Sequence, residues 1–141
     1  MTDPTPFEVA SLEDFPPSVW AARAIAKRPG MYVGTDWNYG LVVAWICGYE
    51  HAINEARYAG AYNPGGFLTR LQERLREQGR LRWESWDLTL LAEAINWTGD
   101  QRPTGHGLSI EQEGAAVAHL IGEVEDLFQL PYDPDRYTTG D

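Results

Sequence analysis

The side chains best suited to chemistry are Cys47, His51 and His106, which can serve as nucleophile, base or metal ligand. Cys47 and His51 lie four residues apart in a segment with helical periodicity, so both should lie on one face where a metal ion could contact them. His106 lies between two glycines and could act as a general base. Two ligands do not complete a structural metal site, and His106 has no assigned partner. We therefore expect a buried thiol and a hydrogen-bonded histidine, and we assign no catalytic residue, metal or cofactor.

Acidic side chains on the same segment offer a second possible chemistry. Glu50 and Glu55 could share acid–base work if they were close together and shielded from water. They lie five residues apart, so they are not neighbours on one helical face, and we predict a solvated edge. His119, among positions predicted to lie on a helix surface, is a weaker candidate than His106.

Length and composition predict one folded domain. The chain has 141 residues, with six Trp, seven Tyr and four Phe, and disordered chains are poor in aromatic residues. A single cysteine rules out an internal disulfide and fits a reducing compartment. Neither a signal-peptide pattern nor an apolar run of about 18 residues is present. We expect a bacterial cytoplasmic protein that does not bind membranes.

The net charge of −10 lies mostly at the two ends of the chain. Residues 1–15 carry four acidic and no basic residues, whereas residues 103–141 carry eight acidic residues against one arginine. Such a field repels nucleic acid and acidic membranes, and it steers a basic partner inward. The same acidity also serves solubility alone.

The segment from Arg28 to Gly34 predicts a tight corner between two helices. Pro29 removes a backbone donor and disfavours a helical Arg28, so the preceding helix should stop there. Gly30 and Gly34 can each adopt a positive φ. The motif that we expect to be structural comprises Arg28, Pro29, Gly30, Met31, Tyr32 and Gly34.

The strongest helical pattern follows this corner, from about residue 37 to residue 58. Apolar residues recur there with the i, i+3, i+4, i+7 spacing of a helix, which predicts a long central helix that is buried on one side and ends near Gly60. The residues assigned to its buried side are Leu41, Val42, Trp45, Ile46, Tyr49, Ala52, Ile53 and Ala56.

Four further helices complete an all-α domain of about five helices. One begins near Ser18, one begins at Phe67, and one is capped by Ser85 and ends around Gly99. The last follows Ser109, which forms a capping-box pattern with Gln112.

The domain organisation follows from these elements. We predict an N-terminal arm at 1–15, a helical domain at 16–130 and an acidic C-terminal tail at 131–141. The last helix should turn its acidic residues to solvent, and with the tail they form the expected partner-binding face. That face comprises Glu111, Glu113, Glu123, Glu125, Asp126, Asp133 and Asp135.

Residues 27–34 resemble a motif near the N-terminus of the ATPase subunit of DNA gyrase and topoisomerase IV, and the helix through residues 53–56 is similar too. In that family the helix carries a catalytic glutamate and a magnesium-binding asparagine. Aligned on this helix, those two positions hold Cys47 and His51 here. The resemblance covers about 30 residues, and its departure at both positions contradicts ATPase activity.

A second resemblance spans roughly residues 18–129. The Arg-Pro-Gly-Met-Tyr-Val-Gly run at 28–34 is similar to the Arg-Pro-(Ala/Gly)-Met-Tyr-(Leu/Ile)-Gly motif of a group of small bacterial proteins. Later features also match loosely: Gly48-Tyr49, Gly66-Phe67-Leu68, two tryptophans at 83 and 86, and the acidic helix ending at Phe128. Some members of that group are encoded near secreted toxins, which implies an immunity or antitoxin-like role.

These observations leave three functional hypotheses. The first is a non-enzymatic protein-binding domain of the immunity type that masks a basic toxin or nuclease. The second is a small-ligand or nucleotide-binding domain, with Arg28, Tyr32 and His51 near the ligand. The third is a metal-assisted hydrolase built on Cys47, His51 and His106. The oligomeric state does not follow from the sequence.

Overall fold

The computed structural model describes residues 17–58 and 67–128, which form six helices and no strand. The helices are α1 (Pro17–Lys27), α2 (Pro29–Val33), α3 (Tyr39–Tyr58), α4 (Phe67–Glu77), α5 (Trp86–Ala94) and α6 (Ile110–Phe128). The predicted all-α class is confirmed. The predicted arm, the predicted tail and the expected helix end near Gly60 lie outside the described residues.

The corner at 28–34 is itself a short helix, which the sequence analysis treated as a loop. Helix α1 ends at Lys27, as predicted, and Pro29 then occupies the first turn of α2, where its missing N–H and fixed φ are tolerated. Gly34 ends α2 at φ 99°, and its N–H donates to the Gly30 carbonyl at 3.1 Å. Gly30 does not use the positive φ that is open to a glycine, because this residue lies inside the helical turn.

Local caps set the limits of the later helices. The Ser85 hydroxyl accepts from the N–H of Leu88 at the start of α5. Ser109 and Gln112 form the predicted capping box, with reciprocal hydrogen bonds of 2.9 and 3.1 Å. Helix α5 ends at Ala94, earlier than predicted, because Asn96 adopts a positive φ and the chain turns away.

Two helices end in the Schellman arrangement, in which the first two residues beyond the cap bond back to the last turn. After α4, Gly79 has a φ of 71° and the N–H of Arg80 donates to the Leu75 carbonyl at 2.9 Å. After α5, the N–H of Trp97 donates to the Ala92 carbonyl at 2.9 Å. The first of these turns fixes the position of Arg80.

Helix α6 packs against α1, α3, α4 and α5, while the short α2 packs on α1 and α3. The core lies between these helices. The largest fully buried apolar side chains are Ile25, Val42, Ile46, Leu71, Leu75, Leu90, Leu91, Leu120, Ile121 and Val124. Within the described ranges, no helix combines the length and the apolar character that a bilayer crossing requires.

Polar contacts join α3 to its neighbours. The hydroxyl of Tyr39 donates to the Asp87 carbonyl at 2.8 Å, and its backbone N–H donates to a Glu113 carboxylate at 2.6 Å. Burial, followed by the charge of Asp87, raises the pKa of the Tyr39 hydroxyl well above its ordinary value.

Glu50 is buried and accepts from the N–H of Leu68 at 3.3 Å, so the solvated edge predicted for it is wrong. A carboxylate at this point satisfies a backbone donor in the first turn of α4.

A matched pair of leucine truncations tests this assignment of the core. Leu90 is fully buried, whereas Leu41 is 42% exposed. We expect Leu90→Ala to lower the free energy of unfolding by about 3 kcal/mol, because it removes buried contacts and leaves a cavity. Leu41→Ala should cost less than about 1 kcal/mol. Urea denaturation of both variants measures the difference, and equal losses would contradict the assignment.

Candidate functional site

The most exposed apolar surface described on α2 and α3 is formed by Met31, Tyr32, Leu41, Trp45 and Tyr49, here called the aromatic face. Met31 is 66% exposed and Tyr32 is 41% exposed. Leu41 lies one helical turn before Trp45, so the two share a side of α3. Val42 and Ile46 are buried as predicted, in a stripe of α3 that also includes Tyr39 and Glu50. Leu41, Trp45 and Tyr49 were predicted to be buried too, but Leu41 is exposed and the two aromatic residues are only half-buried.

The rings of the aromatic face form a continuous row. Tyr32 meets Trp45 edge to face with centroids 5.2 Å apart, and Trp45 stacks on Tyr49 at 5.4 Å. These distances lie in the range of favourable aromatic pairs. Trp45 also packs against the core with part of its surface. The row is therefore held in place by the fold.

A row of small residues lies beside the rings on α3. Ala44, Gly48, Ala52 and Ala56 follow at four-residue intervals, and all are exposed. A Cβ added at Gly48 would meet no atom within 4 Å. A partner can therefore approach the α3 backbone closely along this row, beside the bulkier rings.

The three residues of the hydrolase hypothesis do not form a metal-binding group. Cys47 is half-buried against the core, while His51 and His106 are exposed. Burial, followed by the charges of Asp87 and Glu50, raises the pKa of the Cys47 thiol, which disfavours the nucleophilic thiolate.

The ligand-binding hypothesis gains little from the geometry of the corner. Arg28 is exposed where α2 begins, and Tyr32 packs on Trp45. His51 follows Trp45 by six residues, which places it roughly 120° around α3. His51 therefore does not face the ligand position expected beside Tyr32. An open groove of about 420 Å³ lies instead between α4 and α6, where arginines and glutamates alternate.

The predicted acidic face on α6 is only partly correct. Glu111 and Asp126 are exposed, but Glu113 is half-buried and binds the N–H of Tyr39. Glu123 and Glu125 are 9% and 1% exposed, so their predicted orientation toward solvent is wrong. The reason is that α6 is packed against four helices and has little free surface.

The remaining two residues of the predicted acidic face, Asp133 and Asp135, lie outside the described residues. Glu125 lies 3.9 Å from the Arg23 guanidinium of α1. The use of these acidic residues in partner binding stays a prediction.

A charged cluster that the sequence does not predict joins three segments. It consists of Arg80 after α4, Glu93 on α5, and His119 and Glu123 on α6. The Arg80 guanidinium donates to both oxygens of Glu93 at 2.9 and 2.5 Å and to Glu123 at 2.5 Å. The Nε2 atom of His119 lies 2.8 Å from the same Glu93 carboxylate.

The charges of this cluster compensate one another. Hydrogen bonds to Glu93 and Glu123 raise the pKa of Arg80. Burial alone would raise the pKa of Glu93, but hydrogen bonds from Arg80 and His119 outweigh burial and hold it below its usual range.

The sequence signal for this cluster was the four-residue spacing of His119 and Glu123, which places both on one face of α6. Glu93 could not be added from spacing, since it belongs to another helix.

Comparisons of the chain with protein-family models, curated proteins and solved structures find no match. The function of the chain is therefore inferred from its own surfaces.

The thiol of Cys47 provides a test of the site electrostatics without any mutation. Because burial and the nearby carboxylates raise its pKa above that of an ordinary thiol, we expect Ellman's reagent to modify the native protein more slowly than a free thiol. The modification rate should also reach half of its maximum at a higher pH than for a free thiol. The same cysteine in urea is the control and should react at the rate of a free thiol. A native rate equal to that of the denatured protein would contradict the half-buried, carboxylate-facing thiol.

Proposed function

We propose that the chain is a non-enzymatic protein-binding domain whose contact surface is the aromatic face. The observation that carries this proposal is the exposure of Met31, Tyr32 and Leu41 on the two helices that hold the ring row of Tyr32, Trp45 and Tyr49. Scattered exposed apolar residues need no explanation, but a contiguous group of them is typical of an interaction site.

The composition of this surface fits a binding hot spot. Tyrosine and tryptophan are enriched among the residues that dominate binding energy, and methionine is enriched at interfaces. Trp45 and Tyr49 are already ordered by their mutual stacking. A partner that packs on them therefore meets side chains whose conformational freedom is partly lost before binding.

The charge of the chain favours a basic partner. The net charge is −10, and the exposed Asp36 and Glu55 lie before α3 and near its C-terminal end. Opposite charge accelerates the encounter of two proteins more than it increases their final affinity. In this account the aromatic face supplies the affinity and the acidic surface supplies the rate.

The biological role that fits such a domain is masking of a basic toxin or nuclease in the cytoplasm. This role rests on the resemblance of residues 28–34 to the small bacterial immunity-like group. It does not require the buried carboxylates of α6, because the partner surface that we propose lies on α2 and α3. Exposed acidic residues such as Glu111 and Asp126 can still contribute to steering.

Affinity capture from a lysate of the source organism tests this function. The baits are the wild-type chain, the double variant Met31→Glu/Leu41→Glu, and Ile110→Glu. Ile110 is 81% exposed at the start of α6 and is a matched apolar-to-acidic control away from the aromatic face. We expect the wild type and the control to retain one stoichiometric basic protein, and to retain less of it at high salt. The double variant should retain at least tenfold less of this protein.

All substituted side chains are exposed, so we expect each bait to be folded. Circular dichroism of the three baits verifies this. Equal capture by the double variant would exclude the aromatic face as the contact surface. Empty capture by every bait at both salt concentrations would leave the masking role without support.

A further inference from the structure

The charged cluster around Arg80 contains three side chains of the types that bind transition metals. One carboxylate oxygen of Glu93, one ring nitrogen of His119 and one carboxylate oxygen of Glu123 all lie within 4.8 Å of one another. Among the described residues this is the single group of three or more such side chains. It lies on α5 and α6, apart from the α2–α3 surface assigned to protein binding.

The backbone holds these three side chains in a fixed relation. His119 and Glu123 are separated by one helical turn of α6, so they project from the same side. Glu93 lies in the last turn of α5, and α5 and α6 pack directly on each other. The Schellman turn after α5 ends the helix one residue beyond Glu93. A site built on two packed helices needs only side-chain adjustment to close around an ion.

The donor set has the chemistry of a zinc-type site. Imidazole nitrogen and carboxylate oxygen are both zinc ligands, and zinc sites with three protein ligands keep a fourth position open. Bonds of about 2.0–2.2 Å place ligand atoms of a tetrahedral ion roughly 3.3 Å apart, so no pair within the 4.8 Å limit has to approach by more than about 1.5 Å. The imidazole favours zinc, cobalt or nickel over magnesium and calcium.

Arg80 provides the positive charge that the carboxylates require in the present arrangement. Its guanidinium contacts both Glu93 and Glu123, the same oxygen-bearing groups that an ion would bind. The side chain is 27% exposed, and its Nη1 also donates to exposed Gln78 at 2.7 Å. It can therefore swing toward solvent on the side of Gln78 without crossing the core.

We propose that Glu93, His119 and Glu123 form a binding site for a divalent transition metal of the zinc type, and that Arg80 competes with the metal for the two carboxylates. The metal binds when the Arg80 side chain withdraws, and one dication then replaces one guanidinium. Removing the charge of Arg80 increases metal affinity, which distinguishes this site from a purely structural ion-pair network. In a purely structural network, the same change only weakens the fold.

The test uses the full, untagged chain, stripped of metal, and titrates it with Zn²⁺ by isothermal calorimetry. The variants are Arg80→Gln, His119→Ala and, as the matched control, His106→Ala, whose histidine is exposed and outside the cluster. We expect one equivalent of Zn²⁺ on the wild type, at least tenfold tighter binding by Arg80→Gln, at least tenfold weaker binding by His119→Ala, and no change in His106→Ala.

Co²⁺ is the second probe, because visible absorption reports whether the bound ion is four-coordinate. His119 is 33% exposed, so its truncation should leave the fold intact, and circular dichroism before titration verifies this. If Arg80→Gln is unfolded without metal, Arg80→Met replaces it, since methionine also removes the charge and has a flexible, unbranched side chain. Arg80 variants that bind Zn²⁺ no tighter than the wild type would overturn the proposal, as would equal binding by His119→Ala.

Discussion

The packing of α6 against four other helices is the constraint on which the rest of the structure depends. An α-helix with neighbours on most of its circumference cannot turn a whole row of glutamates to water. Glu123 and Glu125 are buried as a result, and buried carboxylates need positive or hydrogen-bonding partners. Arg80 supplies such a partner for Glu123, and the Arg23 guanidinium approaches Glu125. The position of α6 thus determines where two of the arginines lie.

The same constraint divides the described helices into a side whose buried charges join helices and a side with exposed aromatic residues, which we propose for binding. The carboxylates of Glu123 and Glu125 are used within the molecule, in contacts with Arg80 after α4 and Arg23 on α1. On α2 and α3, aromatic and small residues remain at the surface, because α3 buries only the stripe through Tyr39, Val42 and Ile46. Since removing apolar surface from water is favourable, a partner that covered the aromatic face would gain free energy from its exposed side chains.

Local sequence signals predicted the parts of the fold that depend on neighbouring residues. The cap at Ser85, the box of Ser109 and Gln112, and the end of α1 before Pro29 all follow from contacts within a few positions. The helical turn at Pro29–Val33 could also have been found, because proline is favoured in the first turn of a helix. The helix ends at Gly79 and Asn96 could also have been predicted, since glycine and asparagine favour the left-handed conformation that ends a helix.

Contacts between helices were not predictable in this way. The apolar pattern of α3 is wider than its buried stripe, so periodicity alone could not tell that Leu41 is exposed while Val42 is buried. Glu50 and Glu123 were assigned to solvent because acidic residues mostly lie there. Their burial depends on backbone and arginine donors far away in the sequence. The candidate metal site could not be predicted from the sequence for the same reason, since Glu93 approaches His119 only through the packing of α5 on α6.

The central claim is that the aromatic face is the surface that a basic partner protein contacts. Hydrogen–deuterium exchange of the complex against the free chain tests it most directly, because it locates contact along the sequence without any substitution. The account predicts added protection in α2 and in the exposed turns of α3, from residue 29 to residue 52. Protection confined to α6, between residues 110 and 128, with none in α2 or α3, would contradict it.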